Sequence, residues 1–239
     1  LQTAINSTGP GSLTLVGRHL SAASGADTIT LAGALTLDVN YVNTSATGGT
    51  WINDALGMVG SVAGGTTINL GAGTYSAGVS VNKANVTING HNHAEISVGT
   101  GQTGVTIGTS ANNVTIENLE IAGPIAADYE DVNWGAAGSS TGIVVAGTTS
   151  TGSSGFNIKN NDIHDIRTGI IVQGQSASGS ITGNTVENTK GGILIQYNDG
   201  SPYTIAGNSE SSVGDEYGII LNRNTAGHVA TAEAGADQS

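Results

Sequence analysis

The chain has 239 residues, among them 38 Gly and no Cys. Only 10% are charged, and the formal net charge is -12. Eighteen acidic against six basic side chains make a partner of nucleic acid or an anionic membrane surface electrostatically unfavourable. Without Cys there is neither a disulfide framework nor a thiolate metal site, and no apolar run reaches the roughly 18 residues of a membrane span, so no membrane insertion is expected.

Residues 1–50 alternate apolar and polar side chains at Leu13-Thr14-Leu15, Thr28-Ile29-Thr30-Leu31 and Leu35-Thr36-Leu37-Asp38-Val39. This period of two predicts strands. They do not align with the later repeat, so the expectation is that they pair with a neighbouring domain, a neighbouring subunit or the first rungs. Gly48-Gly49 marks a boundary. Over residues 51–65, Ile52, Leu56 and Val59 fall at i, i+4 and i+7, which predicts a short amphipathic helix. Such a helix is suited to cover the open end of a stack of strands.

From Thr66 to Asn222 a cassette of roughly two dozen residues recurs, the signature of a solenoid. One column is a Gly before three aliphatic residues: Gly142-Ile143-Val144-Val145, Gly169-Ile170-Ile171-Val172, Gly192-Ile193-Leu194-Ile195 and Gly218-Ile219-Ile220-Leu221. A second column aligns Asn161, Asn184 and Asn208. Amides stacked at the roughly 4.8 Å strand spacing can donate and accept along the axis. Rungs are expected to begin at Thr66, Ala84, Asn113, Phe156, Gly179 and Tyr203, with an insertion from Pro124 to Thr141. The solenoid is assigned to residues 66–226. The small-residue segment 227–239 reads as a tail or linker, and the start at Leu1 reads as part of a longer, processed chain.

The run Trp51-Ile52-Asn53-Asp54-Ala55-Leu56, with Thr67-Ile68-Asn69-Leu70, Gly73-Thr74-Tyr75, Val79-Ser80-Val81 and Val86-Thr87-Ile88-Asn89-Gly90 after it, resembles the opening of the pectin-lyase-like superfamily. The resemblance covers about residues 51 to 222. It implies an all-β fold, a right-handed parallel β-helix solenoid with a short N-terminal capping helix. It leaves activity open, because the superfamily holds polysaccharide lyases, glycoside hydrolases, epimerases, tailspikes, adhesins and surface-layer domains.

The densest chemical cluster is Asn161-Asp162-Ile163-His164-Asp165-Ile166-Arg167. Alignment on the Gly column places Arg167, Lys190 and Glu216 above one another, with Asp165, Glu187 and Asp215 nearby. If the chain is a lyase or epimerase, the resemblance implies that Arg167 or Lys190 abstracts a sugar proton and that Asp165 and Asp215 hold a cation. His164 and Glu216 complete this candidate catalytic set. The alternative is a surface ion-pair ladder, worth about 0 to 1 kcal/mol per pair. In the insertion, Asp128, Glu130 and Asp131 offer hard oxygen ligands that suit calcium, and Tyr129 and Trp134 offer faces for a sugar ring. His91 and His93 lack a third ligand nearby in sequence and read as a turn.

Low charge, few aromatic residues and the missing dense calcium centre favour a structural module of a secreted bacterial cell-surface protein: an adhesin, a surface-layer subunit or an extracellular filament. Its expected partners are further copies of itself or neighbouring domains, with calcium as the candidate cofactor. The competing expectation is a carbohydrate-active enzyme or glycan-binding module with a polysaccharide partner.

Overall fold

The computed structural model describes residues 12–17, 29–39, 49–91, 93–125, 138–148, 151–174, 178–196, 203–222 and 231–232. Parallel strands stack along one axis and wrap a single apolar core, which defines a parallel β-helix. Its first face is a nine-stranded sheet. In stacking order it contains β1 (Leu13–Gly17), β3 (Leu35–Val39), β5 (Thr66–Leu70), β8 (Val86–Asn89), β11 (Thr115–Glu117), β14 (Phe156–Lys159), β16 (Gly179–Thr182), β18 (Tyr203–Ala206) and β20 (Thr231–Ala232). The N-terminal strands β1 and β3 therefore continue the solenoid, the third of the three pairings expected from sequence.

The second face contains β6 (Gly73–Ser76), β9 (Ala94–Ser97), β12 (Glu120–Ala122) and the first halves of β15 (Asp162–Gln173), β17 (Thr185–Gln196) and β19 (Ser209–Asn222). The third contains β7 (Val79–Val81), β10 (Thr103–Ile107), β13 (Thr141–Val145) and the second halves of those long strands.

Register explains the composition. On the first face Leu15, Leu37, Ile68, Ile88, Ile116, Ile158, Ile181 and Ile205 lie directly above one another, and from Leu37 onward none is more than 1% exposed. The neighbouring outward column is Thr14, Thr36, Thr67, Thr87, Thr115, Asn157, Ser180 and Thr204. Short neutral side chains suit it, since like charges directly opposite one another repel.

The Asn column is a hydrogen-bonded ladder inside the turn between the first two faces. Asn161 Nδ2 donates to Asn184 Oδ1, and Asn184 Nδ2 to Asn208 Oδ1, each at 2.9 Å. The same amides serve the backbone: Asn161, Asn184 and Asn208 donate to the carbonyls of Ile116, Ile158 and Ile181. In return, the Oδ1 atoms of Asn161, Asn184 and Asn208 accept from the N–H groups of Leu119, Asn161 and Asn184. Just before this ladder runs a left-handed column, Asn118, Asn160, Gly183 and Gly207, with φ between 55° and 64°. Asn and Gly interchange there because both tolerate that conformation.

The Gly column has a steric cause. A Cβ on Gly142 would lie 2.6 Å from the Gly169 carbonyl oxygen and 2.9 Å from Ile163 Cγ2, and one on Gly169 would lie 2.7 Å from Val186 Cγ1. Gly142 and Gly169 thus each leave a slot that an aliphatic side chain of the second face fills. Gly179 plays a related part, because its bare Cα lets Phe156 and Tyr203, on the strands either side, approach to a ring-centroid distance of 5.9 Å.

The N-terminal helix α1 spans Gly49–Met58, ending earlier than the predicted segment 51–65. Val59 instead opens β4 (Val59–Val62), which pairs with β2 (Ile29–Leu31). Ile52, Ala55 and Leu56 are buried on the helix face that meets the first rung. Asn53 completes the cap: its Nδ2 donates to the Gly78 carbonyl and its Oδ1 accepts from Ser80 N–H, both at 2.9 Å. One side chain thereby occupies the free edge of β7, as a neighbouring strand would. No helix among the described residues is long and apolar enough to cross a membrane.

Asn184→Ala orphans the buried Asn161 N–H and Ile158 carbonyl, at about 1–3 kcal/mol for each group. Urea denaturation is expected to show a loss of about 2–5 kcal/mol, with a smaller loss for the part-buried Asn208→Ala. Gly142→Ala is expected to cost about 1–3 kcal/mol through overpacking, again read from the urea midpoint.

Candidate functional site on the second face

The turn after Asn161 starts β15, whose alternation sends Asp162 and His164 outward and Ile163 into the core. In-register pairing sets Glu95, Glu120 and Asp162 side by side on three successive strands. His164 lies two residues further along. Its Nδ1 is 2.9 Å from Asp165 Oδ2, and its Nε2 is 3.4 Å from Glu120 Oε1 on the preceding rung. The imidazole therefore ties β15 to β12 across a stripe of like charge.

Asp165 turns the chain from the second face to the third, with φ 57°, and Asn188 repeats that left-handed corner one rung on, with φ 47°. Asn188 Nδ2 donates to Asp165 Oδ1 at 2.5 Å. Asp165 is thus held by both His164 and Asn188. Glu187 pairs in register with His164 on the next strand and accepts from Ser211 Oγ at 3.5 Å.

Burial works against a charge on His164. The hydrogen bonds to Asp165 and Glu120, and the charges of Asp165 and Asp162, outweigh it and raise its pKa above the ordinary 6.5. The imidazole is about one-fifth exposed, and Asp165 and Glu120 more so. A half-buried imidazole between two carboxylates can hold or transfer a proton at the surface.

The other predicted residues fall into separate places. Arg167 receives support from the start of the third face: its N–H donates to Ser140 Oγ at 3.2 Å, and its Nη1 donates to the Gly138 carbonyl at 3.3 Å. Pairing of Ile166 with Thr189 and of Thr168 with Gly191 sets Arg167 beside Lys190. The column does not run cleanly on to Glu216. Thr189 pairs with Val213 but Gly191 pairs with Tyr217, so β19 holds two extra residues against Lys190. Asp215 and Glu216 lie in that bulge. Extra residues in one strand unpair locally and re-aim side chains.

Tyr129, Trp134, Asp128, Glu130 and Asp131 lie outside the described residues. Among the described residues, no group of three or more His, Asp or Glu is arranged to hold a metal ion. His91 and His93 are exposed in the turn between β8 and β9, His93 with φ 58°. Glu95 and Glu120 belong to no motif of the sequence. Their signal was the outward alternation of short strands that carry neither the Gly nor the Asn column.

No family model, curated protein or solved structure matches the chain. The class of the protein therefore rests on its own geometry, a parallel β-helix with a continuous core and an acidic second face.

The stabilising effect of His164 should depend on pH in a definite direction. With a folded pKa above the unfolded value near 6.5, its contribution is full below that value and is lost as pH rises through the folded pKa. The difference in thermal midpoint between the native chain and His164→Ala is therefore expected to be largest in mild acid. It should shrink toward alkaline pH, and a gap that is constant with pH would refute the clamp.

Proposed function

We propose that the chain is a structural module of a secreted bacterial cell-surface protein, acting by rigid display and by assembly with copies of itself or with neighbouring domains. The observation that carries this reading is the outer edge of β19, which follows β17 on the second and third faces. Ile219 continues the inward column Val79, Val105, Ile143, Ile170 and Ile193. Those five are fully buried, whereas Ile219 is 39% exposed. Among the described residues only β17 pairs with β19, which leaves the outer edge of a 14-residue strand unpaired by them. Unpaired edges are templates for another chain.

The rod form supports the same reading. Nine strands on the first face, at roughly 4.8 Å spacing, give an axis of roughly 40 Å held by laddered side chains. The resemblance to the pectin-lyase-like superfamily, which includes adhesins and surface-layer domains, fits the same reading. Calcium is the proposed bridging ion, through Asp128, Glu130 and Asp131 of the insertion, because hard oxygen ligands suit it.

A second reading is favoured by one observation, the surface imidazole His164 held between two carboxylates. In that reading the chain is a polysaccharide lyase or epimerase or a glycan-binding module, with Arg167 and Lys190 in the enzyme's site and Tyr129 and Trp134 as sugar platforms.

Electron microscopy and sedimentation of the purified chain, with calcium and with a chelator, test the first reading. Filaments or sheets that grow with concentration are expected, and their loss on chelation would identify calcium as the bridge. Uniform monomers under both conditions would remove self-assembly as the role. Turnover of a polysaccharide that disappears in Arg167→Ala, Lys190→Ala or His164→Ala, with the fold intact by circular dichroism, would establish the enzyme instead.

A further inference from the structure

Glu210 stands where every preceding rung has an apolar side chain. It pairs with Val186, and the column then runs back through Ile163, Ile121, Ile96 and Tyr75. Those five side chains are 0% exposed. The alternation of β19 thus turns a carboxyl group toward the core.

The slot that receives it is the one made by the Gly column. A Cβ on Gly192 would lie 2.8 Å from Glu210 Oε2, as one on Gly169 would lie 2.7 Å from Val186 Cγ1 in the rung before. Both carboxyl oxygens are buried and have no hydrogen-bond partner, and Thr189 Oγ1 one rung away is in the same state. Orphaned buried polar atoms are uncommon in folded proteins and call for a physical role.

Among the described residues, the elements packed around Glu210 offer it no compensating charge. Inward positions of β17 are Val186, Thr189, Gly192 and Ile193, while its charged residues Glu187 and Lys190 take the outward alternation. On the first face the core residues of β16 and β18 are Ile181, Tyr203 and Ile205. The other charged residues of β19 are Asp215 and Glu216 in the bulge, both acidic. Burial alone pushes the Glu210 carboxyl up to about 7.

We propose that Glu210 makes β19 a pH-responsive element: while neutral, it completes the core column and β19 stays seated on β17, and once ionised it admits water and β19 detaches. The proton goes to solvent. Between the ordinary carboxyl value of 4.5 and about 7, the seated strand keeps a proton that the detached strand has lost. Detachment is therefore favoured by up to about tenfold per pH unit in that window, and above it both states are ionised and the effect levels off. The device does not depend on what the module displays.

Amide hydrogen exchange of the full chain, corrected for intrinsic rates between about pH 5 and about pH 8, reads this directly. Opening of residues 209–213 is expected to rise by up to about tenfold per pH unit and then level near neutrality, while β8 and β11 stay protected throughout. Glu210→Gln should abolish the slope. Glu210→Val, which extends the column of Val186, should abolish it and raise protection at every pH. His164→Ala should leave the slope in β19 intact, which separates the two titrations. A flat profile for β19 in the native chain, or a slope that survives in either Glu210 variant, would overturn the proposal.

Discussion

Parallel in-register stacking is the constraint on which the rest of the structure depends. At roughly 4.8 Å between strands, every side chain touches its own equivalent on the rungs above and below. A residue type is therefore selected for compatibility with itself. Aliphatic side chains, amides and hydroxyls pass that test, as in the Ile68 to Ile205 column, the Asn161 to Asn208 ladder and the Thr14 to Thr204 column. Charges pass it poorly, so they are few; the Glu95, Glu120 and Asp162 stripe is an exception, and elsewhere an opposite charge is interleaved. Lys159 beside Glu117 at 2.9 Å and His164 between Glu120 and Asp165 are such interleavings. The 10% charge content follows from this geometry.

The same constraint governs how much could be read from the sequence. The Asn ladder and the Gly column were legible because stacking repeats a residue at a fixed period, and the rung starts at Phe156, Gly179 and Tyr203 coincide with β14, β16 and β18. The strands at Leu13 and Leu35 were legible as strands but not as rungs. They carry the core column of the first face without the Asn or Gly markers that fix phase, so only pairing of Leu37 with Ile68 reveals their place. The end of α1 was misplaced because Val59 satisfies the helical spacing while its backbone is claimed by β2. Tertiary pairing overrides local periodicity there.

The candidate site was harder to read for a related reason. Alignment on the Gly column put Glu216 over Lys190, yet the two extra residues of β19 break the phase between Thr189 and Gly191. A column inferred from one marker holds only until the next bulge. The His164 cluster was found through its own sequence neighbours Asp162 and Asp165, whereas its partner Glu120 sits 44 residues earlier, beyond any local motif. Glu210 escaped notice because it follows Asn208-Ser209 as Glu187 follows Thr185-Val186, and one position decides between the solvent and the core.

The two ends of the rod meet the stacking constraint differently. An internal rung has its backbone and core satisfied by neighbours on both sides, so local opening there breaks two interfaces. At the N-terminal end α1 supplies the missing apolar contacts, and Asn53 supplies one donor and one acceptor to β7. The second and third faces are thereby closed, while the first runs on through β3 and β1. Toward the C-terminus β19 relies on β17 among the described residues, with Ile219 part-exposed and the two buried carboxyl oxygens of Glu210 without a hydrogen-bond partner. Among the described residues, stability is therefore graded from the laddered middle rungs to β19, which is held by one interface. Opening therefore costs least at β19, rather than in the uniform middle.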